Sequence, residues 1–398
     1  MKLIAQKNWK RLISIASNTV FLTLPGVLNL IISVIIIRFY HEEWWGRIVE
    51  IQLVFYFTGS ISAWGNKEYL LREFSKSPAW IRKFWQQSFS TRAAILLLPS
   101  LLLILFIYPI AISFNLALWV LMKYISQSYE SIITYEKKFN LAVTSELISL
   151  LSLILMIYFF RETLSFELLL ILISLSYTFK TIFLVAAFKK YLPGLHQNYP
   201  QIKLLGFSFV FMLLGFTGLV QSKIDLLVLD LYMSKKDLAK YQVITNLLIL
   251  IKTGSSFILY PFVKNIYRLS KEKIISVANT VLAYGFIITL AGLLLQYLIL
   301  KFIYHYETEL SYYIYGIIYC LPGFWFSPIV FYLFKHNKQM KVILINITGI
   351  VTSSLFCYLL ISHMAINGAL ISIAISQIIM LIMYSISFRM DKDLQASS

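Results

Sequence analysis

The chain has 398 residues, of which 59% are hydrophobic and only 13% charged, and its mean hydropathy is +0.77. A soluble domain is nearer half apolar and a quarter charged, so the composition excludes an ordinary globular protein and points to a polytopic membrane protein. The net charge of +17 is assigned to basic loops facing anionic membrane lipids, and no nucleic-acid partner is expected.

A helix needs about 20 apolar residues to cross a hydrocarbon layer roughly 30 Å thick. Runs of that kind are expected as spans at 12–37, 48–66, 90–111, 114–135, 140–160, 166–188, 205–230, 238–262, 275–300, 312–334, 342–362 and 366–388. Tracts of alternating polarity, the mark of membrane barrels, are not apparent, so the expected fold class is all-α. The first span follows Lys2, Lys7, Lys10 and Arg11, as a signal peptide would. Its apolar region continues to about residue 37 without a small-residue cleavage pattern and is read as a retained span. Pro25 and Gly26 interrupt it; a proline inside a helix removes a hydrogen bond and permits a kink, so the pair is a candidate hinge. Cys320 and Cys357 both fall within spans and suggest neither a disulfide framework nor a metal site.

The 35 Lys and Arg residues are distributed unevenly between the spans. The N-terminal segment, alternate gaps and the C-terminus hold 23, the other gaps hold 7, and 5 lie inside spans. This asymmetry places both termini in the cytoplasm and requires an even number of spans, which twelve satisfies. Thr58-Gly59-Ser60 recurs as Thr253-Gly254-Ser255, and Phe74-Ser75-Lys76 as Leu269-Ser270-Lys271 at the same offset. Six helices separate the copies, giving a parallel repeat of two six-helix bundles: 1–190, a cytoplasmic linker 191–204, and 205–398.

An ionisable group at the bilayer centre costs roughly 2.5–3.5 kcal/mol on insertion scales, so charges within spans mark candidate pathways. Lys123, Gln127, Glu130 and Thr134 are spaced to share one helix face, as a cavity wall or through a Lys123–Glu130 interaction. Lys252 stands in a span with Gln242, Asn246, Thr253 and Ser256. On a continuous helix Asp225 shares a face with Gly215, Gly218 and Ser222, while Lys223 points about 160° away. Arg92 and Lys180 lie near a cytoplasmic boundary, where snorkelling takes their head groups to water. Glu146 accompanies Ser145, Ser149 and Ser152, and Arg38 and Arg47 flank the first outer turn. The candidate cavity residues are therefore Lys123, Lys252, Arg38, Lys223 and Arg47, with Glu130, Asp225 and Glu146 as ion-coupling groups or partners. Tyr124, Tyr129, Trp325 and Tyr332 are candidates for stacking on a bound ligand.

Three stretches carry a family resemblance. Residues 38–46 read Arg-Phe-Tyr-His-Glu-Glu-Trp-Trp-Gly and lead through a span to Gly65 and Arg72. Lys223-Ile224-Asp225 is followed by Asp237-Leu238-Ala239-Lys240-Tyr241, with Lys240 where a glycine is usual. Lys338-Gln339-Met340-Lys341 precedes Ile366-Asn367-Gly368-Ala369. In this order the segments resemble the O-antigen or capsule repeat-unit flippases of the multidrug/oligosaccharidyl-lipid/polysaccharide exporter superfamily.

The resemblance implies two bundles around a central cavity, in a bacterial cytoplasmic membrane protein that moves an undecaprenyl-diphosphate-linked oligosaccharide by alternating access. It also implies a coupling ion, H+ or Na+, a monomeric chain, and a polysaccharide polymerase and chain-length regulator as partners. Cations near the cavity suit a diphosphate, whose uncompensated desolvation is prohibitive. A drug or cation antiporter of the same superfamily would instead line its cavity with carboxylates. A membrane polymerase or glycosyltransferase would carry a larger outer loop than 301–311. With no phosphate-cradling glycine motif, zinc spacing or nucleophile elbow evident, a transporter is expected rather than an enzyme.

Overall fold

The computed structural model describes residue 20 and residues 23–192, 199–259 and 262–390. Among these residues the secondary structure is helical throughout. Among the described residues, nine helices are long and apolar enough to cross a membrane: Pro78–Ile107, Ile110–Glu136, Phe139–Phe159, Phe166–Ala187, Ile202–Gln221, Lys235–Leu259, Lys271–Tyr304, Leu310–Lys335 and Gln339–Arg389. The last is two spans, because Ala365 leaves helical geometry (φ 47, ψ −127) between the two expected segments. Thr23–Phe39 is a shorter apolar helix, and the helix Glu42–Ala63 covers most of the second expected span. Part of the first expected span lies outside the described residues, and Arg47, Glu50 and Gln52 make the second more polar than its neighbours. The chain is an all-α polytopic membrane protein.

The expected span 205–230 needs a correction. It is two helices, Ile202–Gln221 and Ile224–Tyr232, because the chain tightens where Lys223 donates its N–H to the carbonyl of Val220. Lys223 sits at the start of the second helix (φ −135, ψ −4), so the face reading based on one continuous helix does not apply.

Contacts divide the chain into two compact units. One contains residues up to Leu28 with Ile51–Phe216, and the other contains Asn29–Glu50 with Thr217–Ser398. In the first, Trp64 donates its indole N–H to the Leu205 carbonyl at 2.9 Å. In the second, Trp45 donates to Gln242 at 2.8 Å. The core of the first unit is an aromatic stack in which the Tyr129 ring lies 5.1 Å from Trp85 and 5.4 Å from Phe188. The second unit buries Phe324, Phe326, Tyr332, Tyr384 and Phe388 in one cluster.

One turn recurs in both units with the same backbone geometry. Lys137 (φ 57) and Asn337 (φ 56) both adopt the left-handed conformation that closes a helix. The residue after each bonds back to the carbonyl five positions earlier: Lys138 to Ile133 and Lys338 to Leu333, both at 2.9 Å. The correspondence is one of backbone rather than side chain, since Leu141 stands where Lys341 does. Both nonetheless donate their N–H to the lysine carbonyl three residues before them.

Candidate functional site

The charged side chains within spans are handled in three ways. The first is pairing: Lys180 meets Glu146 at 2.5 Å, each side chain only 12% exposed, with the ammonium 5.3 Å from the Tyr177 ring. Burial and the carboxylate hold Lys180 inside, which corrects the snorkelling expectation for it. Arg92 departs from that expectation in a second way. It is 3% exposed, donates to the carbonyls of Ser88, Ser62 and Ala63 at 3.2–3.4 Å, and lies over Tyr124. Its planar fork satisfies helix carbonyls where two helices meet.

Lys123 is handled in the third way. Its ammonium lies over two aromatic faces, 4.1 Å from the Phe55 ring and 4.7 Å from Tyr56, and its stem packs on Gly59. Glu130 pairs with Lys67 at 3.6 Å rather than with Lys123. The stripe that joins Lys123 to Thr134 is interrupted at Tyr129, which ends Ile110–Ser128 and precedes Glu130–Glu136. Among the described residues, no carboxylate lies within ion-pair distance of Lys123.

Removing one partner of a buried ion pair strands the other charge, which typically costs about 3–5 kcal/mol. Lys180→Ala is accordingly expected to destabilise the protein by about 3–5 kcal/mol, measured by denaturant unfolding in detergent. Lys180→Met combined with Glu146→Gln is expected to recover most of that loss. A single variant as stable as wild type would contradict the pairing.

Lys252 repeats the arrangement of Lys123 in the second unit. Its ammonium lies 4.7 Å from the Tyr319 ring and donates to Gln377 Oε1 at 2.9 Å, and its stem packs on Gly323. The partners have exchanged helices. Gly59 belongs to the segment that repeats around Gly254, next to Lys252, and Gly323 lies 200 residues after Lys123, the spacing of the paired turns at 137 and 337. In each half a lysine from one helix rests on a glycine of the other, where the missing side chain leaves room for the stem. Sequence spacing identifies both lysines, but it does not reveal Phe55, Tyr56 and Tyr319 as their seats.

Asp225 is 3% exposed and accepts a hydrogen bond from the Tyr241 hydroxyl through Oδ2 at 2.5 Å. Its Oδ1 and the Ser353 hydroxyl are buried without partners among the described residues. Both residues line a cavity of about 10 Å³ with Gln221, Thr245, Ser376 and Gln377. That volume holds about one water-sized species. Gln377 connects this cavity to Lys252.

Arg38 is exposed in the last turn of Thr23–Phe39, and Arg47 is exposed in the second turn of Glu42–Ala63. The turn between these helices is tied down within the second unit. Lys235 pairs with Glu50 at 2.8 Å and Asp230 at 2.6 Å, Lys236 approaches Glu42 at 3.7 Å, and Ser33 shares a 2.6 Å hydrogen bond with Tyr304. Lys240, which replaces a glycine in the resemblance, sits 5.7 Å from both Tyr306 and Tyr312. Pro25 and Gly26 lie in the first turn of Thr23–Phe39, and the two residues just before that helix fall outside those described. Of the stacking candidates, Tyr124, Tyr129 and Tyr332 are buried in packing, whereas Trp325 reaches a surface and donates to Asn279 at 3.1 Å.

Solved structures with the same arrangement include one titled lipid II flippase MurJ in an inward closed conformation, with TM-score 0.72, 14% identity, and coverage of 93% of this chain and 87% of that one. An inward-facing multidrug resistance MATE family transporter of the MOP superfamily matches with TM-score 0.67 and 13% identity, over 95% of this chain and 97% of its own. The eukaryotic MATE transporter AtDTX14 matches with TM-score 0.56 and 12% identity, over 95% and 94%. At these identities the likeness is one of fold alone: the chain has the helical fold seen in these three structures. No family model matches the chain, and no curated protein matches it.

Proposed function

We propose that this chain is a flippase that moves an undecaprenyl-diphosphate-linked oligosaccharide repeat unit across the bacterial cytoplasmic membrane by alternating access, with both termini in the cytoplasm. The observation that carries the reading is the pair Lys123 and Lys252. Each half holds one ammonium over aromatic rings, within a span, with no carboxylate in ion-pair distance among the described residues. A membrane-embedded cation costs free energy unless something anionic meets it, and a diphosphate supplies that partner. The lysines contribute compact charges that are compatible with release, and glycines beside them let the stems swing. The cationic balance disfavours an antiporter of cationic drugs, which is the alternative with the same fold.

Asp225 is the proposed coupling group. Its free Oδ1, the Ser353 hydroxyl and a cavity of about 10 Å³ offer oxygen ligands to a proton or one small cation. Because Gln377 lines that cavity and binds Lys252, ion occupancy there would alter the hydrogen bonding of the substrate lysine. Asp225→Asn is expected to abolish the dependence of transport on a proton or sodium gradient while leaving cargo binding in place. Gradient-dependent transport by that variant would contradict the assignment.

Deletion of the gene in its native host tests the function itself. Loss of surface polysaccharide with accumulation of the lipid-linked repeat unit is expected. Unchanged surface polysaccharide would overturn the flippase reading.

A further inference from the structure

Helices Lys271–Leu298 and Leu310–Lys335 enclose a groove of about 430 Å³ that no part of the transport reading uses. Leu290, Leu294, Leu310 and Ile317 make it apolar, and Tyr297 and Tyr313 line it as well. Leu294 is 62% exposed and Leu310 75%, so the groove opens outward. At its end stands Lys301, exposed on the π-helical turn Ile299–Tyr304, with its ammonium 2.8 Å from the Tyr297 hydroxyl and 5.2 Å from that ring.

We propose that this groove binds one anionic glycerophospholipid, its phosphate on Lys301 and the Tyr297 hydroxyl and one acyl chain along the leucines. Three observations support that occupant. Lys301 is one of the 7 cations on the cation-poor side of the sequence, where loops ordinarily avoid positive charge, and a lipid phosphate gives it a counter-charge. Of the acids that follow, Glu309 accepts from Asn367 and Ser311, and neither it nor Glu307 lies within ion-pair distance of Lys301. The run from Leu290 to Lys301 rises about 16 Å at about 1.5 Å per residue, which is close to half of a hydrocarbon core of roughly 30 Å. The groove is therefore about one leaflet deep, with its cation at headgroup level. A lone cation at that level selects a lipid of net negative charge over a zwitterionic one. The proposal does not depend on what the protein transports.

Native mass spectrometry of the purified full chain in detergent, titrated with phosphatidylglycerol, tests this. One phosphatidylglycerol is expected to stay bound, with affinity lowered about tenfold by Lys301→Ala, the loss of one charged hydrogen bond. Leu294→Trp, which fills the groove at an exposed position, is expected to displace the lipid as well. Phosphatidylethanolamine is expected to bind more weakly, and glycerol 1-phosphate not to compete. Wild-type binding by both variants, equal retention of phosphatidylethanolamine, displacement by equimolar undecaprenyl phosphate, or competition by glycerol 1-phosphate would each overturn the assignment.

Discussion

Alanine at Lys123 or Lys252 is expected to cut surface polysaccharide export about ten- to hundredfold in a strain complemented by this gene, while the protein still reaches the membrane. The magnitude follows from one charge-assisted hydrogen bond to phosphate, about 1.5–3 kcal/mol, at about 1.4 kcal/mol per factor of ten. A purely structural role predicts the opposite balance of effects. Each ammonium sits in a desolvated seat over aromatic rings without a carboxylate among the described residues, so its removal relieves a burial cost rather than stranding a partner charge. Stability in detergent should then hold or rise while export falls. Arginine at either position should restore part of the export, since it keeps the charge but carries a bulkier head against Gly59 or Gly323. Normal export by both alanine variants would remove the anionic-cargo proposal.

The second large effect is expected at Gly46. A Cβ there would lie 1.9 Å from the Lys235 carbonyl oxygen, which is backbone and cannot swing aside. Helix Glu42–Ala63 approaches Lys235–Leu259 at this point with Trp45 bonded to Gln242 and Glu50 to Lys235. Gly46→Ala should force the two apart and cost about 1–3 kcal/mol, the usual range for overpacking, and Gly46→Val more. Because the same contact ties down the helix that carries Arg47, export should fall with it. Gly215→Ala is the control, since nothing lies within 4 Å of a Cβ there, and it should be neutral or slightly stabilising. Gly65, at φ 64 and with Met212 N 2.6 Å from a Cβ, should resemble Gly46. Equal stability for Gly46→Ala and Gly215→Ala in thermal unfolding would contradict the packing described.

The spans are legible in the sequence because burial in lipid demands long apolar runs, and those runs stand out without knowledge of any contact. Gly59 and Gly254 are legible as a recurring pair because close packing constrains the residue type at both. The break at 222–223 is not, because it has neither proline nor glycine and depends on local hydrogen bonds. Periodicity places Lys123 on a face with Glu130 but cannot show that Lys67 takes the carboxylate. Depth alone suggests that Lys180 reaches water, yet Glu146, 34 residues away on the neighbouring helix, holds it inside. Asp225 is visible as a charge in a span. Its Tyr241 donor and free oxygen become apparent only with the helices assembled.

Purified protein in sealed proteoliposomes gives the most direct test of the cargo. Given a fluorescent undecaprenyl-diphosphate oligosaccharide and, separately, a cationic dye, it is expected to move the lipid-linked sugar between leaflets and to leave the dye gradient unchanged. Lys252→Ala should slow that movement about ten- to hundredfold. Dye export with no movement of the lipid-linked sugar would contradict the account and identify a cation antiporter on the same fold.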